Sequence, residues 1–245
     1  MKGRMIVLSI MAMVPCHNAC TKPVDIREQN MAITSVQCRV INGQVDNLGV
    51  DHPMRYKFCT PLPLRQFWHG PEKFPSEDGT AYVGATEEFL VFYACFQDSD
   101  IFSHATDDNQ KMWELGDVAE FFIKPENNQM DYWEIHVTPN DFMLDLHIPD
   151  RDQFFSGDVS WEQVSTPNSH AIKRVAVMDG KWSVELSIPW GTFGLHSPPP
   201  RGSVWRIAIC RYNYNGGMNQ PEHSSTAALT KLNFHQHENY MKLNF

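Results

Sequence analysis

The stretch Lys181-Trp-Ser-Val-Glu-Leu-Ser-Ile-Pro189 decides the architecture of this chain. Trp182, Val184, Leu186 and Ile188 alternate with Ser183, Glu185 and Ser187. Successive strand side chains point to opposite faces, so this pattern predicts a strand with one face in a core. Asp179-Gly180 precedes it and joins it to Ile172–Met178 as a hairpin. The same period runs outward in both directions. Trp205, Ile207 and Ile209 share one face of a strand from Val204 to Arg211, and Trp133, Ile135 and Val137 share one face of Tyr132–Val137. Further strands are expected at Thr80–Ala85, Asp117–Ile123 and Phe142–His147. Phe89-Leu-Val-Phe-Tyr-Ala-Cys-Phe96 is apolar on both faces and reads as a central strand, with Thr86-Glu-Glu88 as the turn before it. Trp190–Phe193 reads as one helical turn after Pro189. No long stretch of helical period and no internal repeat is visible. The expected fold class is all-β: an antiparallel β-sandwich of jelly-roll type with few short helical turns.

Composition agrees with a packed β domain. The 245 residues are 42% hydrophobic and 20% charged, enough for one large all-β unit. Seven Trp, seven Tyr and fifteen Phe favour strands and aromatic binding surfaces. The net charge of −9, without a Lys/Arg run, argues against nucleic acid as a partner and fits a neutral or cationic ligand.

The N-terminus carries basic residues before a short apolar run, Ile6 to Val14. That run is too short to span a bilayer and reads as an export segment over residues 1–20, with Cys16 or Cys20 as a candidate lipid-attachment cysteine. Localisation is therefore expected to be periplasmic, outer-surface or extracellular, with membrane contact only through such an anchor. Residues 21–59 read as an N-terminal extension containing one strand-like run, Ala32–Ile41, and residues 60–245 as the sandwich. Cys95 and Cys210 fall in apolar strands and read as free buried thiols, whereas a Cys38–Cys59 bridge is open to an exported chain. No CxxC pair suggests zinc, and no metal ligand set is assigned.

Trp113-Glu-Leu-Gly-Asp-Val-Ala-Glu120-Phe-Phe-Ile-Lys-Pro125 carries the chemistry. A Trp in a polar loop leads into a strand that holds a carboxylate among apolar neighbours. Such a ring covers the apolar face of a pyranose while a carboxylate accepts its hydroxyl protons; a loop anchor and a solvated strand face are the plainer alternatives. Glu134 and His136 alternate onto one face of the next strand, where they either join Glu120 or form an ordinary polar sheet face.

The order of these signals resembles the family 9 carbohydrate-binding modules, within the wider group of DOMON-like β-sandwiches. The matching pieces are Phe89–Asp98, Trp113 with Asp117–Ile123, Tyr132–Pro139, Lys181–Trp190, Trp205–Arg211, and Asn233-Phe-His235 with Tyr240–Phe245, over roughly residues 65 to 245. The resemblance implies a non-catalytic, exported module with a glycan or oligosaccharide as partner, supporting polysaccharide use. It places Trp113 on the first of two sugar-clamping aromatics and Phe234 on the second, where the family has Trp. Glu120 falls on a hydroxyl-reading carboxylate, His136 on a polar strand residue that contacts sugar, and Glu134 beside it. Trp113 stands one residue further from Glu120 than in the sugar-binding type. The family's opening Trp after an Asp-Gly is missing, with Trp68 as the candidate for its place.

Other function classes are compatible with the sequence. A glycan-active hydrolase, or a fragment of one, needs a carboxylate pair at fixed separation, and no spacing here implies one. Some DOMON-like domains hold haem through Met and His, and this chain has twelve Met and eleven His. A structural envelope protein would keep the fold without a ligand. No catalytic residue and no organic cofactor is assigned; structural calcium is a candidate ion at Asp98-Ser-Asp100 or Asp107-Asp108. His235-Gln-His237 offers two metal ligands, too few for a specific site. Arg206 and Arg211 read as structural ion-pair residues, and Trp182, Trp190 and Trp205 as packing residues.

Overall fold

The Trp182 alternation forms β10 (Lys181–Pro189), hydrogen-bonded between β5 (Phe89–Gln97) and β9 (Ile172–Met178). The computed structural model describes residues 32–41, 53–125, 128–214 and 220–245. The expected export segment, residues 1–20, and most of the expected 21–59 extension lie outside the described residues. Two sheets face each other. One has the order β1 (Ser35–Gln37), β13 (Met241–Asn244), β11 (Val204–Asn213), β6 (Val118–Lys124), β7 (Tyr132–Val137) and β8 (Met143–Ile148), with β12 (Glu222–Ser225) also on β11. The other has the order β2 (Arg39–Val40), β4 (Gly79–Ala85), β5, β10 and β9, with β3 (Leu62–Pro63) also on β4. The all-β sandwich is as expected. Pairing is antiparallel except where β1 joins β13 and β2 joins β4, both in parallel. The Ala32–Ile41 run thus serves both sheets, crossing from one to the other at Cys38.

The expected inward faces meet between the sheets. Trp182, Val184, Leu186 and Ile188 pack with Phe121, Ile135, Ile207 and Ile209, all fully buried. Each such side chain contributes roughly 1.5–3 kcal/mol relative to exposure. β5 is central, as its two apolar faces require: Phe92 and Phe96 enter the core between the sheets, while Val91 and Tyr93 pack on the opposite side with Tyr56 and Cys59. There Glu185 also accepts hydrogen bonds from Arg55 Nη1 at 2.9 Å and from the Tyr56 hydroxyl.

One buried ion pair ties the sheets together. Arg211, on the Trp205 face of β11, reaches Asp98 at the end of β5, Nη2 to Oδ2 at 2.8 Å. Its Nη1 also donates to the Gln97 carbonyl at 2.9 Å, and Trp182 Nε1 donates to the same Asp98 oxygen at 3.1 Å. Arg206 points the other way and donates to the Glu238 and Tyr240 carbonyls. Cys95 and Cys210 are free thiols, as expected. Cys38 and Cys59 are free as well, so the bridge between them does not form. Their side chains pack into different clusters, Cys38 against the core between the sheets and Cys59 beside Ile41 and Tyr56.

A second apolar layer covers the outer face of the β6–β7–β8 sheet. Phe122, Tyr132, Leu144 and Leu146 point into it, and short helices α1 (Arg151–Ser156) and α2 (Trp161–Ser165) close over it with the 227–240 segment. Asp150 caps α1, and Ser160 with Gln163 forms a capping box on α2. Among the described residues no helix is long and apolar enough to cross a membrane.

Candidate functional site

On β6, Ala119, Phe121 and Ile123 face the core between the sheets, so Val118, Glu120 and Phe122 must face outward. Antiparallel register sets Glu120 opposite His136 on β7 and places Glu134 on the same face, one pair along. Sequence alternation therefore brings the three polar candidates together. They lie under the outer apolar layer rather than in open solvent: Glu120 is 2% exposed, Glu134 4% and His136 0%.

His136 joins the two carboxylates. Its Nε2 is 2.7 Å from Glu134 Oε1, and its Nδ1 is 3.4 Å from Glu120 Oε1. The first is a hydrogen bond; the second is too long for one. Burial pushes the Glu120 carboxyl up to about 8, with Glu134 adding and His136 opposing. Burial alone would also raise Glu134, but His235 and His136 hold it below its ordinary range. Burial disfavours the His136 imidazolium, yet Glu120 and Glu134 outweigh it and raise His136. At neutral pH the floor therefore holds an ionised Glu134 hydrogen-bonded to His136 Nε2, beside a Glu120 that still carries its proton. One acceptor and one donor face the same space.

That space is a hollow of about 630 Å³, with Glu120 and Glu134 in its floor and Trp113, Trp161, Phe234 and His235 in its walls. Trp113 belongs to a single helical turn, Met112–Glu114, and is half-buried. Its ring lies 5.3 Å from the His136 ring and meets Trp161 edge-on at 5.9 Å. The loop beneath it is firmly held. Asp117 accepts backbone N–H bonds from Phe102 and Tyr214, both at 2.8 Å, and the Tyr214 hydroxyl donates to the Trp113 carbonyl. Gly116 sits at φ 138°, where an added Cβ would stand 2.6 Å from the Phe102 carbonyl oxygen.

Phe234 lines the hollow but is 5% exposed, and it packs against Trp68, Phe122, Tyr212 and His223. It presents an edge of wall rather than an open ring. Trp68 backs it at 6.3 Å. His136 does not line the hollow; it sits behind the carboxylates and orients them. Sequence reasoning missed Trp161, which lies at the start of α2 with Lys111 Nζ 5.5 Å over its ring. It also missed Phe155 and Leu232, exposed apolar residues at the rim. His235 enters the site by a different route from the paired-ligand reading: its Nδ1 is 2.8 Å from the Tyr132 hydroxyl and 3.6 Å from Glu134 Oε2. The acidic loops are engaged by protein groups. Asp98 holds Arg211, Trp182 and the Asp100 N–H, and Asp108 holds the Met143 N–H.

The fold has counterparts among solved structures. A putative carbohydrate-binding protein from Bacteroides uniformis superposes with a TM-score of 0.63 at 15% identity, over 86% of this chain and 99% of its own. A family 9 carbohydrate-binding module from Caldicellulosiruptor kristjanssonii in complex with cellotriose gives 0.55 at 12%, over 86% and 91%. The fold is that of the family 9 modules. The glucose complex of a module from the same organism gives 0.55 at 10% identity, over 86% and 94%. No protein-family model and no curated protein sequence matches the chain.

Proposed function

We propose that the hollow binds a carbohydrate and that the domain is a non-catalytic, exported glycan-binding module. One observation carries the reading: the half-buried Trp113 ring stands over a hollow floored by Glu120 and Glu134. A pyranose presents apolar C–H faces and polar edges, and this arrangement offers each a partner. Trp113 stacks on the ring, with Trp161 and the Phe234 edge bounding it. Glu134 accepts from one hydroxyl, and protonated Glu120 donates to another. His136 holds both carboxylates from behind. Sugars of the glucose and cellotriose type suit a neutral site of this size, and the solved family 9 complexes with those ligands support the choice. The net charge of −9 disfavours anionic polysaccharides. The basic and apolar N-terminal pattern supports export. Few stacked rings and exchangeable hydrogen bonds leave little surplus over water, so affinity falls in the micromolar to millimolar range, roughly 4–8 kcal/mol.

A glycan array, paired with reducing-sugar release on the best-bound polysaccharides, tests this. Binding without release is the expected result. Release of sugar would make the domain a hydrolase, and an array negative for every glycan would remove the carbohydrate reading.

A further inference from the structure

One pyranose does not fill the hollow. Its volume of about 630 Å³ lies within the range of roughly 300–1,000 Å³ that takes a drug-sized ligand. A single sugar ring against Trp113, Glu120 and Glu134 is smaller than that and leaves the mouth open. Two large apolar side chains line the same hollow there, Phe155 at 58% exposed and Leu232 at 51%. Exposed apolar residues scattered singly are ordinary, but two that share the mouth of one cavity mark a place for a ligand. Phe155 is also firmly mounted. Its helix α1 is capped by Asp150 at the start and ends at Gly157 in the left-handed region, φ 87°. Arg151 in the same helix donates to the His235 carbonyl at 3.1 Å and to Glu238 Oε2 at 2.7 Å, tying α1 to the segment that walls the hollow. The Phe155 ring meets His235 edge-on with centroids 4.8 Å apart, and His235 Nδ1 is 3.6 Å from Glu134 Oε2. One imidazole thus separates the exposed ring from the floor carboxylate.

We infer that Phe155 and Leu232 form a second sugar subsite, so that the hollow takes an oligosaccharide of two or more units rather than a lone monosaccharide. The inference rests on the glycan reading of the hollow and adds to it the length of chain that is bound. The inner unit stacks on Trp113 over the two carboxylates, and the next unit lays an apolar C–H face on the Phe155 ring. Asn233 also lines the hollow, between Leu232 and Phe234. Its Oδ1 accepts the His235 N–H at 2.9 Å, which makes the amide nitrogen its donor end for a hydroxyl of the second unit. Stacking on one phenyl ring, rather than a charge-assisted hydrogen bond, is the main contact, so the outer unit raises affinity by roughly two- to tenfold.

The test titrates glucose and cellotriose into the full chain by calorimetry, with Phe155→Ala and Phe155→Trp alongside. Wild type should bind cellotriose roughly two- to tenfold more tightly than glucose. Phe155 is exposed, so its replacement leaves the core intact. Phe155→Ala should bring the two affinities close together by weakening cellotriose the more, and Phe155→Trp should keep or widen the gap. Equal affinities in wild type, or a gap as wide in Phe155→Ala as in wild type, would overturn the second subsite and leave the glycan reading standing. Binding of neither sugar would instead strike the glucose-type reading of the hollow, and the subsite with it.

Discussion

Arg211→Met offers the sharpest test of how the two sheets are joined. The Arg211 and Asp98 side chains are 1% and 0% exposed, so water cannot replace a lost partner. Removing the guanidinium leaves Asp98 with the Trp182 indole N–H and the Asp100 backbone N–H, and no counter-charge within the pair. Breaking a buried pair from one side costs about 3–5 kcal/mol, because the surviving charge stays desolvated. For a domain of this size each kcal/mol moves Tm by about 2–4 °C, so the loss should be about 6–20 °C. Asp98→Asn should also destabilise, by removing the hydrogen-bonded counter-charge of Arg211 and leaving it only the more distant Asp117 and Glu77. The double variant should then cost less than the sum of the two singles, by about 0.5–3 kcal/mol. Calorimetric melts of the four proteins complete the cycle. A Tm for Arg211→Met within about 2 °C of wild type, or strict additivity in the double variant, would refute the argument that this pair staples the sheets.

Three other outcomes follow from particular positions. Gly116→Ala should lower stability by at least about 1–3 kcal/mol, because its φ of 138° strains any side chain and its Cβ meets the Phe102 carbonyl; a thermal melt matching wild type would remove that strain from the account. Phe234→Ala should cost about 3–5 kcal/mol in urea unfolding, as for a core ring, and a cost below about 1 kcal/mol would instead mark an open stacking platform. Burial lowers the pKa of His223, so the unfolded chain takes up a proton there before the folded one does, and stability should fall as pH drops below about 6.5. Melts at pH 7.5 and pH 5 should show that fall shrinking in His223→Gln; an equal fall in both proteins would contradict it.

Alternation made much of the sandwich legible. Trp182 to Ile188, Trp133 to Val137 and Trp205 to Ile209 could satisfy their apolar period only with one face in a core, and all three do. The same logic put Glu120 and His136 on one outer face, because register carries cross-strand pairs with it. Arg211 shares the Trp205 face by the same count, but only the folded chain shows Asp98 and the Gln97 carbonyl waiting there. The split of Ala32–Ile41 between two sheets left no mark in its apolar pattern, since both short pairings are parallel and distant in sequence. Trp161 was hidden for a related reason. Ser160-Trp-Glu-Gln163 announces a helix start, and nothing local says that this helix folds against β8. Phe234 was legible as an aromatic of the site but not as a buried one, because its four ring partners come from four separate segments.

Calorimetric titration of the best-bound oligosaccharide into wild type and Trp113→Ala tests the central claim most directly. A stacked indole face contributes about 2 kcal/mol through its apolar area and ring contact, so the variant should bind roughly thirtyfold more weakly while keeping its fold. Equal affinity in the two proteins would mean that sugar, if bound at all, does not rest on that ring.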